Sequence, residues 1–222
     1  MAIDITLNLS SLGYGLRTNS TVTEPTGATT DDILIAALYI ESNTAVTTPA
    51  GWSLLYTKND GATYNLKVYG IRRGASAPAL TWSHASANTE MAIKRYTGCV
   101  TSGSFEDCTG STNTGSGVTI IGTSISPTSS GAALILIPSV NSSGTNKFSA
   151  WASPLTERYD AAGGDLGYGD GLLTASGATG NKTITGPNDT WMSVMLALKP
   201  AAGGATVPMG AITYYLRMMG SQ

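Results

Sequence analysis

Two uninterrupted apolar runs constrain this chain more than any other feature. Ile33-Leu34-Ile35-Ala36-Ala37-Leu38-Tyr39-Ile40 is followed, roughly 100 residues later, by Ala132-Ala133-Leu134-Ile135-Leu136-Ile137. Runs of this length suit either a strand or a short helix. The β-branched content and the flanking Thr and Asp residues favour strands buried on both faces. At eight residues, the longer run falls far short of the ~20 needed to cross a bilayer.

The remaining sequence supports an all-β reading. Gly, Ser and Thr account for 82 of the 222 residues. Thr favours strands, while Gly and Ser favour turns. Charged residues are only 12% and the net charge is −2, so no general attraction to nucleic acid or to an acidic membrane surface is expected. The pairs Arg72-Arg73 and Lys94-Arg95 are too short to form a basic stripe. The start, Met1-Ala2-Ile3-Asp4-Ile5, has neither the basic nor the apolar region of a classical signal peptide. A soluble protein made in the cytoplasm is expected.

Strand signals recur along the chain. Ile3 to Leu9 alternates apolar and polar, as a half-buried strand does. Further strands are expected at Trp52–Thr57, Tyr64–Ile71, Ala79–Ser83 and Glu90–Tyr96. The second half offers Leu155–Tyr159, a Gly-rich run at Asp165–Leu173, Lys182–Thr185 and Trp191–Leu198. The Ser/Thr/Gly-rich stretch 101–128 reads as the connection between halves, with one short strand around Val118–Ile121.

The two halves can be laid over each other at an offset near 100. Asp32–Leu38 falls on Gly131–Ile137, Pro49–Tyr56 on Trp151–Tyr159, Tyr64–Ile71 on Asp165–Leu172, and Asn88–Ile93 on Asp189–Val194. Four matches in order suggest an internal duplication, with pseudo-repeats at about 20–100 and 120–200. Eight main strands in two similar halves suit a jelly-roll-like two-sheet sandwich over residues 1–200, in which the halves interleave. Two separate four-stranded domains are the alternative, but each alone would bury too little surface.

Pro200–Ala205 reads as a flexible linker. The apolar arm that follows carries Ile212, Tyr214, Tyr215, Leu216, Met218 and Met219. On a helix, Ile212, Tyr215, Leu216 and Met219 share a face; on a strand, Ile212, Tyr214 and Leu216 do. Residues 201–222 either fold back on the body or dock on a neighbouring subunit, and adaptable Met and Tyr side chains fit an assembly arm.

The sequence holds no recognisable catalytic or cofactor motif. Its single histidine, His84, follows Trp82-Ser83 in an expected loop, and no nucleophile elbow stands in a strand-to-helix context. Asp31-Asp32 and Glu106-Asp107 are adjacent pairs whose members point to opposite faces of a strand. Asp160, Asp165 and Asp170 are evenly spaced among glycines, but not with EF-hand spacing. Cys99 and Cys108 form no CxxC motif; free thiols are expected in a reducing cytosol, with a disulfide closing the loop between them as the alternative. No catalytic residue, metal site or cofactor is expected. Trp52 and Trp191 adjoin apolar runs and are expected in the core. Trp82 and Trp151 lie nearer loops and are candidate glycan contacts.

The strings Asp32–Leu38, Thr48-Pro49-Ala50-Gly51-Trp52-Ser53-Leu54-Leu55 and Trp191–Pro200 together resemble a widespread group of phage and prophage proteins. That group carries a "gDlLva" strand, a "tPaGWtll" turn and strand, and a closing "alalkp" strand. The resemblance covers about residues 20 to 200 and implies a virion-associated β-sandwich of heads, tails or fibres. It carries no catalytic residues. The expected role is a non-enzymatic structural protein of the virion of a tailed bacteriophage, as capsid decoration or a tail-associated component. Its expected partners are other virion proteins and copies of itself, a trimer being the expected oligomer. The alternative is a carbohydrate-binding module that reads a host receptor.

Overall fold

The computed structural model describes residues 2–60, 63–142, 147–161 and 164–202. The arm residues Ile212, Tyr214, Tyr215, Leu216, Met218 and Met219 lie outside these. Among the described residues the chain is all-β, with no helix. In chain order the strands are β1 (Leu9–Thr21), β2 (Ile33–Ile40), β3 (Val46–Thr47), β4 (Ser53–Asn59), β5 (Asn65–Arg72), β6 (Thr81–Tyr96), β7 (Ser111–Gly122), β8 (Ala133–Val140), β9 (Thr156–Asp160), β10 (Gly167–Leu172) and β11 (Lys182–Leu198).

They form two antiparallel sheets. The first has the order β1-β6-β2-β5-β4, with β3 added against β6; the second has the order β7-β11-β8-β10-β9. Each sheet is built from one continuous half of the chain. The interleaved, jelly-roll-like exchange of strands is therefore corrected: the halves stack as separate sheets. Pairing within a half closes shorter loops than pairing across halves, and so costs less chain entropy.

The two sheets share strand order and two of their irregularities, although the first also has β3 and a further shift in the β1–β6 ladder at Gly13-Tyr14. In β4, Leu55 bulges between Leu54, opposite Tyr69, and Tyr56, opposite Val68. In β9, Arg158 bulges between Glu157, opposite Gly169, and Tyr159, opposite Tyr168. In β6, residues 84–86 stand opposite the single β1 residue Thr18; in β11, residues 186–188 stand opposite the single β7 residue Val118. At this second bulge each long ribbon folds over. Ser111 Oγ donates to Thr123 O at 2.6 Å, although twelve extended residues would span about 40 Å. In the first half, Thr23 Oγ1 comes within 3.4 Å of Ser10 Oγ. The far part of each ribbon thus lies back over the outer face of its own sheet.

This folding produces three apolar clusters. The central one lies between the sheets and takes Ile33, Ile35, Ala37 and Tyr39 from β2, with Ala133, Ile135 and Ile137 from β8. The alternate residues face outward. Leu34, Ala36 and Leu38 pack with Trp52, Tyr69 and Trp82. Leu134 and Leu136 pack with Ile120, Phe148, Ile184 and Trp191. Both β2 and β8 are buried at every position, as their continuous apolar character requires.

Several strand boundaries differ from expectation. The ladder of β1 begins where the expected Ile3–Leu9 strand ends, although Ile3 is buried. Ala79–Ser83 and Glu90–Tyr96 merge into β6, and Lys182–Thr185 and Trp191–Leu198 merge into β11. The polar bulge in each long strand had read as a loop; it is the fold of a single ribbon. Trp82 and His84 consequently sit in a strand rather than in a loop.

The Gly-rich run forms β10, and its glycines have a steric reason. A side chain at Gly169 would collide with the Trp151 ring, and one at Gly171 with the Pro154 carbonyl. The segment around 148–155 therefore packs directly on the backbone of β10. Gly171→Ala meets backbone that cannot move aside and should cost about 3 kcal/mol, lowering Tm by roughly 6–12 °C. Gly13→Ala, with nothing near its added carbon, should stay within about 0.5 kcal/mol. Thermal melts of the two variants check this; equal effects would contradict the packing.

Candidate functional site

The main polar constellation lies inside the sandwich. Asp170 on β10 is fully buried. Its Oδ1 accepts from Arg158 Nε at 2.6 Å. Its Oδ2 accepts from Tyr96 Oη at 2.9 Å and lies 3.5 Å from Lys94 Nζ. Lys94 and Tyr96 come from β6 of the other sheet, so the cluster ties the sheets together. Lys94 also donates to the carbonyls of Ile5 (2.8 Å) and Leu7 (3.0 Å), which anchors the N-terminal segment. Burial lowers the Lys94 pKa even though the Asp170 charge opposes the shift. The Tyr96 hydroxyl is pushed well above its ordinary value, by burial first and then by Tyr168 and Asp170.

A second junction lies toward one end. Glu90 of β6 is fully buried. Its Oε1 accepts from Tyr159 Oη at 2.7 Å. Its Oε2 accepts from the backbone amides of Asp165 and of Leu166, the latter at 2.9 Å. Gly164 leaves the room this carboxylate occupies. Burial raises the Glu90 pKa, against the hydrogen bonds that lower it. Asp165 pairs with Lys147 and accepts from Ser142 N at 3.1 Å.

His84 sits at the β6 bulge in a directional chain. Its Nδ1 donates to Ala85 O at 2.8 Å, which leaves Nε2 to accept from Ser20 Oγ at 3.1 Å. Ser20 Oγ in turn accepts from Thr89 Oγ1 at 2.9 Å, and Arg17 Nη1 donates to Thr89 at its backbone carbonyl and at Oγ1. This Ser–His pair resembles part of a hydrolytic triad, but Ser20 is fully buried and a backbone carbonyl stands where the orienting carboxylate would be. Its evident work is to pin the fold of the ribbon.

The acidic residues go to separate partners. Asp32 pairs with Arg95 at 2.6 Å. Glu106 accepts from Tyr56 Oη at 2.5 Å. Asp107 accepts from Thr128 and Ser129, whose hydrogen bonds hold its pKa low against the desolvation that would raise it. Asp160 accepts from Phe148 N at 2.8 Å, so Asp160, Asp165 and Asp170 do not converge. Among the described residues no cluster of three potential metal ligands forms. Both cysteines are free thiols. Cys99 faces the central core, where burial raises its pKa to about 12, and Cys108 packs against the outer core of the second sheet.

Trp52 and Trp191 are core residues, as expected. Trp82 is a correction. It is fully buried against Trp52 and Tyr69 and offers no face to a glycan. Trp151 is half-buried on the outer surface of the second sheet. At the end of the sandwich a cleft of about 740 Å³ is lined by Thr128, Ser129, Ser130, Thr174, Ser176 and Lys199, among others. No protein-family model, curated protein or solved structure matches the chain.

Two predictions follow from the junctions. Asp170→Ala leaves the buried Lys94 and the half-buried Arg158 without their counter-charge and should cost about 3–5 kcal/mol. Lys94→Met should cost less in that background than in the wild type, with a coupling of about 1–3 kcal/mol; additivity in denaturant titrations would show that the charges do not interact. For Glu90, a raised folded-state pKa means that the folded protein holds the proton more tightly. Its contribution to stability therefore grows as pH falls through that raised pKa toward the ordinary 4.5 and is lost as pH rises. Glu90→Gln can still accept from both amides and should remove this dependence. Glu90→Ala, which strands three donors, should cost about 2–4 kcal/mol. Parallel stability–pH curves for wild type and Glu90→Gln would contradict the assignment.

Proposed function

We propose that this chain is a structural component of a tailed-bacteriophage virion, on the head surface as capsid decoration or in association with the tail. It acts by protein–protein assembly rather than by catalysis. The observation that carries the reading is the set of segments resembling phage and prophage proteins. In the fold these segments are packing elements: Asp32–Leu38 leads into and forms most of β2, Thr48–Leu55 forms the turn into β4 with Trp52 beneath it, and Trp191–Pro200 ends β11.

Two further observations support it. The buried charged groups are engaged in holding the sheets together, as Asp170 and Glu90 show. The exposed large apolar side chains, Tyr14, Leu16, Leu54 and Val118, lie on strands at sheet edges, where a neighbouring subunit can pack or pair. The shared strand order and bulge positions also support the proposal that the two halves arose by internal duplication. Other virion proteins and copies of this chain are the proposed partners, with a trimer as the oligomer and the apolar arm as the attachment device. The net charge of −2 gives no support to nucleic-acid or membrane binding.

Deleting residues 201–222 should leave Tm within about 2 °C of the full chain while abolishing incorporation into particles, as read by immunoblot of purified virions and by electron microscopy of labelled protein. Normal incorporation of the truncated chain would remove the arm from the proposal. Label absent from every particle in the presence of the full chain would remove the virion role.

A further inference from the structure

We propose that the outer face of the second sheet carries a binding site for one pyranose ring of a glycan, with the Trp151 indole as its platform and Glu157 as the carboxylate that receives its hydroxyls. The proposal is independent of the assembly role, and either can fail alone.

The platform follows from the glycine beneath it. A Cβ at Gly169 would lie 2.9 Å from Cη2 of Trp151 and closer still to Cζ3 and Cε3. Such closeness to three consecutive ring atoms places the glycine under the ring face; an edge-on ring would hold Cη2 much farther off. Gly169 looks outward from the sheet, so the opposite face of the indole is turned away from the protein body. Trp151 is half-buried, whereas Trp52, Trp82 and Trp191 are at most 6% exposed. The outer face of the first sheet has no such platform, because Trp52 and Tyr69 pack against Trp82 with ring centroids 5.0 and 5.6 Å away and seal it.

The polar rim follows from β9. Glu157 pairs with Gly169 across the ladder, is exposed, and accepts from Trp151 Nε1 through Oε2 at 3.0 Å. That bond fixes the ring and leaves Oε1 to accept from a ligand hydroxyl. A separate recess of about 270 Å³, lined by Ser153 and Pro154 with Thr174, Ser176 and Thr179 but not by Trp151 or Glu157, begins two residues further along the chain. Lys182 also lines it, but its Nζ donates to Ser153 O at 2.9 Å.

The ligand class follows from this chemistry. A pyranose has an apolar C–H face that covers an aromatic ring and a rim of hydroxyls that donate to a carboxylate. The Glu157 charge disfavours phosphate or sulfate. A cationic side chain is the competing occupant, since an aromatic face and a carboxylate also attract ammonium groups.

The test uses the full chain and the methyl glycosides of glucose, galactose, mannose and N-acetylglucosamine, with Nα-acetyl-lysine amide as the cationic probe. At least one glycoside should change the indole emission saturably, with Kd on the order of 1 mM. Because the other three indoles are buried, the change reports Trp151. Glu157→Ala should weaken binding about tenfold or more. Trp151→Phe should retain binding by calorimetry while losing the emission change, and Trp151→Ala should lose both. Thermal melts identify variants that unfold, and if Trp151→Ala does, Glu157→Ala and Trp151→Phe decide. The proposal is overturned if no glycoside gives a saturable response, if the response persists at full strength in Glu157→Ala, or if only the lysine amide binds.

Discussion

A strand with an unbroken apolar run must be covered on both faces, and the architecture grows from that requirement at β2 and β8. Two sheets packed face to face cover only one side of each. The other side is covered by each half's own long ribbon, folded back at a bulge. The result is a succession of layers: ribbon, sheet, sheet, ribbon. The fold-back also accounts for the otherwise odd lengths of β6 and β11, at 16 and 17 residues, well above the usual strand.

The two halves solve the bulge differently. In β11 it contains Gly186-Pro187-Asn188, residues whose backbone preferences tolerate a break in the ladder. In β6 it contains His84-Ala85-Ser86, which have no such preference, and there the hydrogen-bond chain through His84, Ser20, Thr89 and Arg17 holds the geometry. The same contrast appears between the sheets. Where the second half places Arg158 and Asp170 and the first half supplies Lys94, the matching ladder positions hold Leu55, Gly70 and Leu196. Phe105 fills the space over Gly70, where a Cβ would meet its ring at 2.7 Å. One backbone plan therefore closes with a buried charge network at one place and with an aromatic plug at its counterpart. The network tolerates fewer alternative arrangements, because a slipped sheet would strand a carboxylate or an ammonium in the core.

The all-β class and the double burial of β2 and β8 were legible because they rest on composition and on long apolar runs. Two of the edge strands, β1 and β7, were not, whereas the edge strands β4 and β9 lie close to where they were expected. The β1 segment, Leu9–Thr21, and the β7 segment, Ser111–Gly122, alternate between exposed and half-buried positions, with few apolar residues to mark a period. The correspondence between halves was visible, but its register was not. Asp32 was matched with Gly131, whereas the ladders set Ile33 and Ala133 in equivalent places, opposite Tyr96 and Leu198 and opposite Arg72 and Leu172. A one-residue slip normally reverses every side chain. In a strand buried on both faces no alternation exists to reveal the slip. At the site level, nearness to an apparent loop misplaced Trp82, because the break was a fold in one strand. Trp151, by contrast, does lie in an irregular segment.

The glycines of β10 connect fold and surface. At the matching positions β5 carries Lys67, Tyr69 and Ile71, of which Tyr69 and Ile71 build an outer core together with Trp52 and Trp82. At Gly169 and Gly171, β10 withdraws its side chains, so the covering segment descends onto the backbone and carries Trp151 down with it. A ring seated on backbone is held by its lower face and by its hydrogen bond to Glu157, and needs no neighbours above it. The two outer faces thus diverge for a steric reason: one closes around its aromatic residues, whereas the other sets a tryptophan down flat with a carboxylate beside it. The difference between the two outer faces lies in which side chains β5 and β10 raise above the sheet.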